Sequence, residues 1–150
     1  MKNVFLILIA GLFSFSASAQ KKKSKAVVKL NVPEMVDASF KTQYATVEKN
    51  KWSKNYSGNY EATFTNAESL KQVAEYNASG RVVKTKTVFD VNALPANIST
   101  AVQAGYPEAK VTECTKYEIP GVSPYYKVKV TTTANKNKDL FISEEGAITE

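Results

Sequence analysis

Histidine is absent from the 150 residues of this chain, and cysteine occurs once, at Cys114. The first absence removes Ser-His-Asp and Cys-His arrangements, along with any histidine general base. The second excludes an intramolecular disulfide and leaves a zinc ion with one sulfur and scattered carboxylates, a poor ligand set. Glycine is sparse, and Gly58, Gly80 and Gly121 each stand singly at turn-like positions, so no glycine-rich loop is available to cradle a phosphate. Carboxylates such as Glu61 and Glu75 fall in alternating stretches and read as solvated strand-face residues rather than an acid/base pair. No catalytic residue, cofactor site or metal ligand is expected, and the chain reads as a non-enzyme.

Long apolar runs are lacking too, with one short exception. Lys2 is followed by an apolar stretch from Val4 to Phe15, broken only by Gly11 and Ser14, and then by the small residues Ala17-Ser18-Ala19. That is the pattern of a secretory signal peptide over residues 1–19, cleaved after Ala19. The stretch is too short to cross about 30 Å of hydrocarbon as a helix. Gln20, not a cysteine, follows the cleavage site, so no lipid anchor is expected. The predicted address is the periplasm or the exterior.

Positive charge is in excess, +6 overall, but it is not evenly spread. Lys2 lies in the leader, and Lys21, Lys22, Lys23 and Lys25 form a block directly behind it. Such a block is ordinarily a solvated arm, here residues 20–30, able to make weak contact with an anionic surface. Without it the remainder is nearly neutral, and the basic pI gives no support to nucleic-acid binding.

What the chain does have is a repeat. Val32-Pro33 recurs as Leu94-Pro95 at an offset of 62, and Val36, Phe40 and Tyr44 recur as Ile98, Val102 and Tyr106 at the same offset. Further on, Tyr60, Ala62 and Phe64 match Tyr126, Val128 and Val130 at an offset of 66, and Gly80 matches Gly146 at 66 as well. The four additional residues fall in Ile119 to Pro124, around Pro120, Gly121 and Pro124. Repeats of about 31–91 and 93–150 therefore divide a domain running from 31 to 150.

Within each copy the apolar residues step by four after the proline, a helical stripe that opens with proline at its first position. The period then changes to two, the mark of half-buried antiparallel strands. Turns are predicted at Asn77 to Gly80, at Glu144 to Gly146, and at the hairpin tip Asn135 to Lys138. The expected fold class is α+β: a tandem repeat of helix plus antiparallel strands, forming one antiparallel sheet of seven or eight strands with two helices on one face. Neither copy is expected to shelter its stripe alone, so a single shared interior is predicted, with a polar, tyrosine-rich face left open. Cys114, in the alternating stretch Lys110 to Ile119, fits burial in that interior; pairing between chains is the alternative. The residues singled out as a candidate partner-binding surface are aromatic: Trp52, Tyr56, Tyr60 and Tyr125. Trp52 and Tyr60 also fit a place in the core.

These residues resemble a known family. Val32, Pro33, Phe40, Tyr44, Trp52, Tyr60, Ala62, Phe64, Tyr76, Asn77 and Gly80, followed by Leu94, Pro95, Ile98, Tyr106, Pro107, Tyr126 and Val128, are similar in order and spacing to the PepSY-like domains. Those are small exported bacterial domains, likened to the beta-lactamase inhibitor protein. The resemblance spans residues 30 to 149. It implies tandem helix-plus-strand units in one sheet, and a non-catalytic module that inhibits or docks on another secreted or envelope protein. The alternative is a binder of a small ligand or of an anionic lipid or polysaccharide surface. The inhibitor itself carries disulfides, which a single cysteine forbids here, and no stretch matches its target-contacting loops.

Overall fold

The computed structural model describes residues 30–149. The predicted signal peptide and nearly all of the lysine arm lie outside the described residues. The chain runs through helix α1 (Glu34–Gln43), strands β1 (Asn50–Lys54), β2 (Tyr60–Thr65), β3 (Lys71–Tyr76) and β4 (Val82–Phe89), then helix α2 (Ala96–Gly105) and strands β5 (Lys110–Ile119), β6 (Val122–Thr131), β7 (Asn137–Ser143) and β8 (Ile148–Thr149). All eight strands form one sheet in sequence order, antiparallel throughout. This is the predicted architecture, with each repeat supplying one helix and four strands.

Pro33 and Pro95 stand one residue before the helices rather than at their first position, with φ of −58° and −53°. Their carbonyls accept the first helical amides, Val36 and Asp37 in α1 and Ile98 and Ser99 in α2. A cap residue contributes its carbonyl and needs no N–H, so proline is as compatible there as one place later. Each ten-residue helix then buries two side chains fully: Val36 and Phe40, and Ile98 and Val102.

Pairing partners share a face of the sheet, which puts Trp52, Ala62, Ala74 and Thr85 on the helix side. The expectation of one shared interior is corrected here. Two hydrophobic clusters form, one per repeat. Val36 and Phe40 pack with Tyr60, Ala62, Phe64, Ala74 and Tyr76. Ile98 and Val102 pack with Cys114, Tyr126, Val128, Val130, Leu140 and Ile142, so Cys114 is a buried thiol. Between them, on the same face, runs a polar seam. Gln72 pairs with Thr87 and donates its amide to the Thr87 hydroxyl at 3.1 Å. Thr87 pairs with Lys116 across β4 and β5, and Thr85 with Glu118. Polar residues at the junction of the copies prevent the two cores from merging.

The four extra residues of the second repeat lie in the β5–β6 hairpin, as expected. Their effect is to extend both strands to Ile119 and Val122, whereas the β1–β2 hairpin turns through Asn55 to Asn59. The hairpin between β6 and β7 turns through Thr132 to Lys136, two to three residues earlier than predicted and overlapping the predicted tip at Asn135 and Lys136, with Asn135 at φ 54°.

Candidate functional site

The face away from the helices is uncovered by any described element. Its centre is a row of directly paired residues, Val73, Lys86, Tyr117, Tyr125 and Ser143, crossing β3 to β7. The adjacent row holds Val88, Thr115, Lys127 and Phe141. Tyr117 and Tyr125 stack nearly parallel, with centroids 5.3 Å apart and an interplanar angle of 7°. Phe141 continues the group at 6.0 Å from Tyr125, tilted by 59°. Phe141 and Val88 are both exposed.

Lysines border these rings. Lys127 Nζ is 5.9 Å from the Phe141 ring centroid and 2.7 Å from the Asp139 carboxylate. Lys129 bonds to Glu113 at 2.9 Å one row away. The patch thus interleaves aromatic and aliphatic side chains with lysines, Lys86 in the central row and Lys127 in the adjacent one.

The first repeat treats the equivalent positions differently. At the offsets of 62 and 66, Tyr117, Tyr125 and Phe141 correspond to Asn55, Asn59 and Glu75. Glu75 is 3% exposed although it points to the open face. Its Oε1 accepts hydrogen bonds from Asn55 Nδ2 and Asn59 Nδ2, both at 2.8 Å, while Oε2 lies 3.0 Å from Lys84 Nζ. Burial acts to raise the pKa of this carboxyl, but the bonds from Asn59, Lys84 and Asn55 prevail and hold it below its ordinary value. Glu61 sits directly opposite Glu75, with Lys86 3.9 Å from it. Three positions are therefore closed and polar in one repeat, aromatic and open in the other.

Of the residues singled out from sequence, only Tyr125 lies in this patch. Tyr60 is buried against Tyr76, and Trp52 is half-buried, with its ring 5.5 Å from Phe40 and 6.2 Å from Tyr76. Strand parity sends both to the helix side, so as candidates for an exposed binding surface they are corrected to core residues. Tyr56 is fully exposed, but on the tip of the β1–β2 hairpin, at the other end of the sheet from Phe141. Tyr117 and Phe141 were missed, although both left a signal. With Cys114 facing inward, alternation turns Tyr117 outward. In Leu140-Phe141-Ile142, three apolar residues in a row exceed what one face can take, and the middle one must point to water.

The family model described as "Putative beta-lactamase-inhibitor-like, PepSY-like" matches residues 18–71 and again residues 58–150. The chain belongs to this family. The first match takes in α1 and the second α2, in keeping with the repeat. The PepSY-like fold is shared by solved structures. A DUF2874 family protein from Bacteroides ovatus is 24% identical, with TM-score 0.71 over 81% of this chain and 86% of that one. A BLIP-like protein from Bacteroides fragilis is 22% identical, with TM-score 0.71 over 81% and 85%. A protein from Bacteroides eggerthii, described as a "putative periplasmic" protein, is 18% identical, with TM-score 0.68 over 81% and 88%. At these identities the likeness is one of fold. No curated protein sequence matches the chain. Among the described residues no helix is long and apolar enough to cross a membrane, and no group of three or more His, Cys, Asp or Glu is placed to hold a metal.

Proposed function

We propose that this PepSY-like protein is an exported, non-catalytic module that binds another secreted or envelope protein through the open face of its second repeat. On this reading residues 1–19 are a cleaved leader, residues 20–30 a basic arm, and the domain from 31 to 150 comprises repeats of about 31–91 and 93–150. The leader pattern at Ala17-Ser18-Ala19 supports export, as does the description of the Bacteroides eggerthii neighbour. The family's inhibitor-like description favours binding over catalysis.

The observation that carries the proposal is the uncovered group of Tyr117, Tyr125 and Phe141, at positions where the sister repeat carries a closed hydrogen-bonded triad. Rigid aromatic rings at low entropic cost are the usual anchors of protein interfaces. Their orientation also bears on the kind of partner. Here the two tyrosines turn faces toward each other, and Lys127 lies over Phe141. Ring edges, phenol hydroxyls and the outer ring faces remain for a partner, which suits side chains interleaving between them.

A photoreactive phenylalanine analogue at position 125 tests this in the native envelope fraction. We expect a discrete protein adduct from that site and none from the same analogue at exposed Ala38 on α1. The adduct should disappear in Phe141→Ser with the thermal midpoint little changed. Equal labelling from both positions, or labelling indifferent to Phe141, sinks the proposal.

A further inference from the structure

The two cores leave a gap where they fail to meet, on the helix-bearing face. A groove of about 370 Å³ lies there, open to solvent, within the size range of ligand sites. Its floor is Val82 and Thr85 of β4, and one wall is the end of α1 at Gln43 and Tyr44. The opposite wall is the extended β5–β6 hairpin, with Pro120, Val122 and Pro124. That wall exists because of the insertion; the five-residue turn of the first repeat, Asn55 to Asn59, has no counterpart to it. Val122 is 52% exposed, an unpartnered apolar side chain on the rim.

Charge selects among occupants. Glu118 contributes a half-exposed carboxylate to this groove, next to the Thr85 hydroxyl and the phenol of Tyr44. Among the described residues its one ion-pair partner, Lys116, is shared. Lys116 Nζ is 2.8 Å from Glu144 and 3.5 Å from Glu118, so one ammonium serves two carboxylates and the shorter contact is the other one. The groove therefore keeps a negative charge at its polar end and apolar walls along its side. A cation on an aliphatic stem matches both.

We infer that this groove receives a lysine or arginine side chain carried on an extended segment of a partner protein. The ammonium or guanidinium meets Glu118, and the methylene stem lies along Val122 and Pro124. An open groove covers one side of its occupant only, which suits a side chain already held by its own backbone better than a free amine. This site is on the face opposite the aromatic patch, and it stands or falls separately from the reading given above.

The test is a titration of the protein with acetyl-Ala-Lys-Ala-amide, followed by amide NMR shifts. Saturable shifts are expected at Tyr44, Glu118 and Val122. The norleucine analogue of the peptide, or Glu118→Gln in the protein, should each weaken binding about tenfold, as for loss of one charge-assisted hydrogen bond. Lys116→Met, which removes the competing ammonium but keeps the stem, should tighten it a few fold. Norleucine binding as well as lysine, indifference to Glu118→Gln, weakening by Lys116→Met, or no saturable shift up to about 20 mM peptide would each overturn the assignment.

Discussion

Glu75 shows how a single residue's environment settles its role. An alternating strand pattern makes it a solvated face residue, yet it is buried, because the β1–β2 hairpin delivers two asparagine amides to its Oε1. Glutamine at this position keeps an acceptor for the amides but loses the charge that Lys84 answers. Glu75→Gln should cost about 1–3 kcal/mol at pH 7, the range for a buried charge-assisted bond. The sign with pH follows from the lowered pKa: the folded state binds the proton less readily than the unfolded chain. The stabilisation is therefore complete above the ordinary value of 4.5 and is lost as pH falls through the lower folded value. Urea midpoints of wild type and variant should differ at pH 7 and converge under acid conditions. A gap that persists unchanged in acid would assign the loss to packing instead.

At the scale of elements, the turn between β3 and β4 is locked onto α1 through Gly80. That glycine has φ 76°, and a Cβ built there would lie 2.7 Å from both the Met35 carbonyl oxygen and Ser39 Oγ. Gly80→Ala combines a left-handed backbone with a clash against helix backbone, for an expected loss of about 2–4 kcal/mol in urea unfolding. The equivalent glycine of the second repeat, Gly146, has φ 87° but 3.5 Å to its nearest neighbour, the Asn97 carbonyl oxygen. Gly146→Ala should cost measurably less; equal losses would mean that backbone strain alone accounts for both. These elements were legible because helix stripes and strand alternation are local periodicities, readable along a line. The position of Pro33 was one residue off because a cap and a first helical residue ask the same of proline. The β6–β7 tip was misplaced because Asn and Lys fit a turn in more than one register, and the pairing of Thr131 with Asn137 draws Asn137 and Lys138 into the strand.

Taken whole, the molecule is two half-sheets joined through the β4–β5 ladder, with Gln72, Thr87, Lys116 and Glu118 between the interiors. Separate interiors make an energetic prediction. Phe40→Ala and Ile98→Ala should each destabilise by about 2–5 kcal/mol as core truncations. Together they should add to within about 0.5 kcal/mol, since the residues share no packing partner. A coupling well beyond that, in a double-mutant cycle by urea denaturation, would show one cooperative core. Sequence alone determined the fold class, the two copies, the helix stripes and the opposite sides of the sheet to which the neighbours Tyr125 and Tyr126 turn. Each follows from spacing along the chain and from the rule that neighbours in a strand face opposite ways. What only the tertiary structure decided is which outward residues become neighbours. Tyr117 meets Tyr125 and Phe141, and Asn55 and Asn59 meet Glu75, through strand register and hairpin length, which are properties of pairing between segments. The separation of the two cores was hidden for the same reason: it depends on polar side chains from β3, β4 and β5 lining up across the sheet, and no single strand contains that line.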